Sequence, residues 1–167
     1  KFEEAAPLYE RAVEVGEQTL GPDHPSLARM LNDRAGVLRA QGKYREAGPI
    51  YLRAIGIGER TRGSDHPSLG TMLNNLAGLL KAQGALQEAG DLYIRAIEIG
   101  EKTLVRDHPD LATRLNNLAE LYRAQGRFAK AEPLYERAQG IREKVLGDDH
   151  PAIATVLNNR VELLRMQ

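Results

Sequence analysis

Apolar residues recur along this chain at three- and four-residue spacings, in segments separated by short polar breaks. Ala5, Leu8, Tyr9, Ala12, Val13 and Val15 stand this way between Phe2 and Leu20, with Glu and Arg among them, which is the pattern of an amphipathic helix. Leu27, Leu31, Ala35 and Leu38 mark the buried stripe of a second helix, from Pro25 to about Gln41. Tyr44, Ala47, Ile50, Tyr51, Ala54 and Ile55 mark a third, from Tyr44 to about Arg62. The same rhythm predicts helices near Pro67–Gln83, Leu86–Leu104, Pro109–Gln125, Phe128–Leu146 and Pro151–Gln167. Strict alternation never runs far between turn signals, so no strand is expected.

The breaks carry their own chemistry. Pro25 restricts His24 to extended geometry and suits a first helical residue, which makes His24 the expected N-cap. Gly42 supplies the left-handed residue that commonly ends a helix. Pro7 is expected in or just after a first turn, where a missing N–H costs little. Gly16, Gly58 and Gly100 fall late in second helices, each at a cost of up to about 1 kcal/mol relative to Ala. Helical residues and an apolar rhythm follow Gly100, so the helix is expected to continue through this position.

The whole pattern repeats every 42 residues. His24-Pro25, His66-Pro67, His108-Pro109 and His150-Pro151 open the copies, and Leu31-Asn32, Leu73-Asn74, Leu115-Asn116 and Leu157-Asn158 recur within them. A fixed period of that size implies stacked supersecondary units that cannot bury their apolar faces alone. The expectation is a single array over 1–167. Residues 1–22 form the second helix of a preceding unit, 23–64, 65–106 and 107–148 form whole helical hairpins, and 149–167 form the first helix of a fourth. Incomplete first and last units and an opening Lys1 suggest a segment of something longer. The opening helix and the last one, with Leu157, Val161 and Leu164, are expected to be partly bare and to favour head-to-tail self-association.

Acids and bases balance at 23 each, so no net field gathers phosphate backbones and no nucleic-acid partner is expected. The absence of cysteine removes thiol catalysis and Cys-ligated zinc, and suits a reducing compartment, with a cytoplasmic location as the expectation. No apolar run approaches the length of a membrane span, so no membrane partner is expected. Consecutive His copies should lie about 10 Å apart, too far to share one zinc, so they read as caps and neither metal nor cofactor is expected. Ser64-Asp65-His66 holds the letters of a hydrolase triad, but adjacent residues cannot adopt its geometry. Gly56-Ile57-Gly58 lacks a third glycine and a preceding strand, so it is no dinucleotide site. With no acid/base pair or nucleophile, the chain reads as non-enzymatic.

Leu73-Asn74-Asn75-Leu76-Ala77, Gln83-Gly84, Glu88-Ala89, Leu92-Tyr93 and Ala96-Ile97 resemble the tetratricopeptide repeat. The longer unit, with its Leu20-Gly21-Pro22-Asp23-His24-Pro25 linker, looks like the repeats of kinesin light chains. The resemblance implies a right-handed α-solenoid of about eight helices, whose first helices line a concave groove that binds a short peptide segment of a partner protein. Carried over position by position, the groove residues are Arg29, Asn32, Arg39, Thr71, Asn74, Asn75, Lys81, Thr113, Asn116, Asn117, Arg123, Asn158, Asn159 and Arg165. Asn side chains can both give and accept hydrogen bonds with an extended backbone, and the basic series Arg39, Lys81, Arg123 and Arg165 favours acidic ligands. Asp33, where later copies have Asn, disfavours them at that end. The rival expectation is a structural spacer or self-associating segment of a larger protein, such as a signalling NTPase, with no groove ligand.

Overall fold

The computed structural model describes residues 2–147 and 150–166. Among them are eight α-helices and no strand: α1 (Phe2–Leu20), α2 (Pro25–Ala40), α3 (Tyr44–Arg62), α4 (Pro67–Ala82), α5 (Leu86–Thr103), α6 (Pro109–Ala124), α7 (Phe128–Leu146) and α8 (Pro151–Met166). The chain divides into two compact units, residues 1–89 and 90–167, with the division inside α5.

Local chemistry sets the helix ends. The ring nitrogens Nδ1 of His24, His66 and His108 accept the backbone N–H of Ser26, Ser68 and Asp110 at 3.1, 3.2 and 3.1 Å, each two residues into its helix. A side chain thereby satisfies one of the donors that a helix start leaves without a partner. At the other end, Gly42 has φ +76°, and Lys43 N–H reaches back to the Leu38 carbonyl at 2.9 Å. The first helices stop at Ala40, Ala82 and Ala124, one residue before the Gln where the spacing alone would stop them.

The second helices close on Gly63 and Gly147 at φ +87° and +77°. Val105 stands at the equivalent place after α5. A β-branched residue is strained at positive φ, and α5 ends at Thr103 rather than at Leu104 as the periodicity suggests. Pro7, Pro49 and Pro133 are also displaced from expectation. Each is the sixth residue of its helix and lies inside it. The bond each proline lacks would run to a carbonyl four residues earlier, within the first turn, so the helix survives.

In residues 1–89, α2 and α3 form a hairpin, α1 packs on α2, and α4 packs on both α3 and α2. Leu27, Leu31, Ala35, Ala47, Tyr51, Ala54, Leu69, Leu73 and Ala77 make the buried seam. In residues 90–167, α6 and α7 form the equivalent hairpin and α8 packs on both. Ala119, Ala131, Tyr135, Val156 and Leu163 form its core. Tyr51, Tyr93 and Tyr135 are buried packing residues, as their common repeat position implies.

Helices α1, α3 and α5 do run through Gly16, Gly58 and Gly100, and the glycines have a packing reason. A Cβ on Gly16 would come within 2.9 Å of Met30 Sδ, and one on Gly100 within 2.9 Å of an Arg114 guanidinium nitrogen. The next first helix therefore lays a long side chain across a bare backbone. Arg114 is 2% exposed and donates to the Ala96 carbonyl at 2.8 Å; burial pulls its pKa below the ordinary arginine value, with Asp110 opposing. At Gly58 the nearest atom, Met72 Sδ, is 3.6 Å away, an ordinary contact.

Two substitutions should therefore part company in thermal melts. Gly58→Ala has room and is expected to raise stability by roughly 0.5–1 kcal/mol through helix propensity. Gly100→Ala must displace the Arg114 guanidinium from a buried carbonyl, and a net loss of about 1–2 kcal/mol is expected. Equal melting shifts for the two would remove the close-approach explanation.

Candidate functional site

The polar face of the first helices is assembled from pairs of neighbours, α2 with α4 and α6 with α8. Cβ atoms four residues apart share a helix face, which is why the asparagines and the basic series emerge together. On the α2/α4 face, Arg29 and Thr71 are exposed, while Arg39, Asn74, Asn75 and Lys81 are half-buried. On the α6/α8 face, Thr113, Asn158 and Arg165 are exposed, and Asn117, Arg123 and Asn159 are half-buried.

Asn32 and Asn116 depart from the open polar face expected of them, for both are buried. Neighbouring first helices pack closely enough for their amides to meet. Asn75 Nδ2 donates to Asn32 Oδ1 at 3.0 Å, and Asn159 Nδ2 donates to Asn116 Oδ1 at 3.1 Å. The second asparagine of one copy thus bonds the first asparagine of the copy before. The remaining amide protons go to carboxylates: Asn32 donates to Asp33 at 3.2 Å, and Asn116 donates to Glu120 at 3.0 Å. Glu120 also accepts from Asn159 at 3.3 Å. Gly36 and Gly78 occupy the position of Glu120 in the earlier copies, so this carboxylate distinguishes the α6/α8 face.

The basic series is not uniform either. Arg165 pairs with Glu162 on its own helix at 3.1 Å. Beneath Arg39 and Asp33 lies Tyr51, whose hydroxyl is buried without a hydrogen-bond partner. Burial pushes this phenol above its ordinary value, with Arg39 opposing the rise and Asp33 adding to it.

A cleft of about 430 Å³ opens in residues 1–89 where the N-terminal halves of α2 and α4 meet the end of α3. Arg29, Asn32, Asp33, Arg62, Ser68 and Thr71 contribute polar atoms to it. Neither Arg29 nor Arg62 has an ion-pair partner among the described residues. Arg62 is the residue that spacing arguments passed over, because it lies on a second helix. A signal was nevertheless present. The other copies place Leu20, Leu104 and Leu146 at its position, and Thr71, Thr113 and Thr155 at that of Arg29. Both departures from the repeat bring a guanidinium to one cleft.

The tetratricopeptide repeat family matches residues 1–57, 26–89, 68–144 and 110–167, so its overlapping matches cover the chain. No curated protein matches the sequence. The crystal structure of BtubC (BKLC) from P. vanneervenii is similar over 99% of this chain, with a TM-score of 0.82 at 23% identity, which speaks for the fold alone. The chain spans 66% of that protein, slightly under two thirds. The crystal structure of a Podosopora anserina putative kinesin light chain with nearly identical TPR-like repeats gives a TM-score of 0.76 at 28% identity, with 99% of this chain and 83% of that one covered. A point variant of that protein gives 0.77 at 28% identity, with 99% and 82% covered.

Asn75→Ala strands the Asn32 acceptor in a buried place and should cost about 1–2 kcal/mol in urea melts, whereas the exposed Asn158→Ala should cost under about 0.5 kcal/mol. Parity between them would remove the ladder from the stability of the fold. For Tyr51 the sign runs with alkali. A phenol raised in the folded state contributes fully below about pH 10, and the contribution is lost as pH rises further. Tyr51→Phe should melt at or above the parent at neutral pH and resist unfolding better above about pH 10; a steeper alkaline loss in the variant would contradict the burial of an unpaired hydroxyl.

Proposed function

We infer that this chain, which belongs to the tetratricopeptide repeat family, is a non-enzymatic protein-interaction scaffold whose first helices hold a short linear segment of a partner protein. Repeats of this family are typical of protein–protein scaffolds, and no helix among the described residues is long and apolar enough to cross a membrane. The likeness to a putative kinesin light chain supports a cargo- or adaptor-type recognition role in the cytoplasm.

The cleft lined by Arg29 and Arg62 carries the reading. Two guanidinium groups without ion-pair partners, beside the hydroxyls of Ser68 and Thr71, suit a carboxylate side chain of an extended peptide. Asp33 at the same cleft accepts a backbone or side-chain N–H from the same segment, which reconciles an acidic ligand with an acidic residue in its site. On this reading Arg39, Lys81, Arg123 and Arg165 extend the preference for acidic ligands along the first helices, and Asn74, Asn117 and Asn158 contact its backbone.

A second reading, a self-associating structural segment without a groove ligand, is favoured by the apolar side chains left exposed on the outermost helices, Leu8 and Val15 on α1 and Leu157, Val161 and Leu164 on α8.

An array of immobilised acidic and matched neutral peptides, followed by fluorescence polarisation of the best binder, tests the groove. Arg29→Glu with Arg62→Glu is expected to weaken acidic peptides by about 10-fold or more with the melt nearly unchanged, since both side chains are exposed. The affinity should fall as salt rises toward physiological levels. An acidic peptide that binds equally to parent and double variant, at any salt, would dismiss the cleft as the site.

A further inference from the structure

The outermost helices expose side chains whose repeat equivalents are buried. Val15 of α1 is 40% exposed, while Ile57, Ile99 and Ile141 at the same repeat position are 1%, 2% and 4% exposed. Leu157 and Val161 of α8 are 43% and 45% exposed, while Leu115 and Ala119, one period earlier, are both fully buried at 0%. Leu8, Ala12, Val15, Leu20 and Met30 line an open apolar depression of about 460 Å³ beside α1. Within each unit, what covers these positions is visible. A first helix lies against the second helix that follows it, α2 against α3 and α6 against α7. By its place in the repeat α8 is a first helix, and α1 is a second helix.

We propose that α8 of one molecule receives α1 of a second copy in the register of the internal hairpins, joining chains head to tail. The joint presupposes the self-associating reading and adds its residue-level register. Each end offers what the other lacks, so the contact is heterologous and grows unless it closes.

Charge selects the register. Arg53 of α3 pairs with Glu17 of α1, and Arg137 of α7 pairs with Glu101 of α5, each ion pair joining one second helix to the previous one. Both belong to series that recur every 42 residues, and each series has one member left over. Arg11 begins the arginines and Glu143 ends the glutamates. In the joint, the second copy's Arg11 meets Glu143 and forms the pair that the period would place there. Each is otherwise held on its own helix, Arg11 by Glu14 at 3.1 Å and Glu143 by Gln139 at 2.6 Å, contacts that an exposed side chain exchanges at little cost.

The apolar part follows the same count. In the core of residues 90–167, Ala119 of α6 meets Ala131 and Tyr135 of α7. At the joint Val161 takes the place of Ala119, and the second copy's Ala5 and Tyr9 take those of Ala131 and Tyr135. Val161 and Leu164 exchange water for the second copy's Leu8 and Tyr9, and Leu157 is covered beside the second copy's Val15. The driving force is thus burial, and the ion pair sets alignment.

Sedimentation equilibrium on the full chain, from micromolar to millimolar, tests both levels. The apparent mass should rise with concentration above the 18.5 kDa of one chain. Arg11→Glu and Glu143→Arg should each weaken association by about 3- to 10-fold, and the doubly reversed chain should recover most of it, because every joint then carries the pair with its signs exchanged. Leu164→Glu should weaken association by about 10-fold or more while circular dichroism keeps the helical signal. Association that is sensitive to Leu164→Glu but indifferent to both charge reversals would overturn the register and leave the self-associating reading standing. A single 18.5 kDa species at millimolar concentration would overturn both.

Discussion

No hairpin of this chain can bury its apolar stripe by itself, and that constraint underlies everything else in the structure. Leu31 and Ala35 face α3, while Leu27 faces back toward Gly16 of α1, so a first helix is sealed only when a second helix lies on each side. The seal depends on close approach. Bare glycine backbone at residues 16 and 100 admits Met30 and Arg114, and alanine at 35, 47, 54 and 77 is fully buried because nothing larger fits. Where a helix lacks one neighbour, the same stripe turns outward, and Val15 and Leu157 show the consequence.

Polar residues on the first helices sit at the edge of this seal, which gives them a double character. An asparagine there is close enough to its counterpart in the next copy to bond it, as Asn75 and Asn159 do, and once half-buried it must do so or lose stability. The ladder consumes one side of each amide and orients the rest. A ligand approaching these helices therefore meets a pre-ordered row of side chains instead of mobile ones, which lowers the entropy cost of binding.

Ion pairs follow the same periodic logic farther from the seal. Arg34 with Glu10 and Arg160 with Glu136 occupy one repeat position, as do Arg60 with Asp23 and Lys144 with Asp107. Exposed pairs of this kind add little energy singly, but their spacing penalises a slipped register, because a shift of one residue separates them all. Individuality enters through departures from the repeat. Arg29 and Arg62 open a cationic cleft, Glu120 recruits two amides, Arg114 replaces a methionine under a glycine, and Val105 shortens α5.

The helices themselves were legible in the sequence almost to the residue, because their signals are local. Three- and four-residue apolar spacing, His-Pro at the starts and Gln-Gly at the ends all act within a turn or two, and the bounds differ from expectation by one residue where Ala40 precedes Gln41 or Val105 denies α5 a left-handed stop. The family resemblance was legible for the same reason, being written in those spacings. Burial of Asn32 and Asn116 was not, nor was the purpose of Gly16 and Gly100. Each depends on a partner 14 to 43 positions away, such as Met30 for Gly16 and Asn75 for Asn32, and on the distance at which two helices pack. The pairing of Arg29 with Arg62 at one cleft belongs to the same class. Periodicity states which face a side chain takes, and only the packed neighbour decides whether that face meets water, another amide or an open cleft.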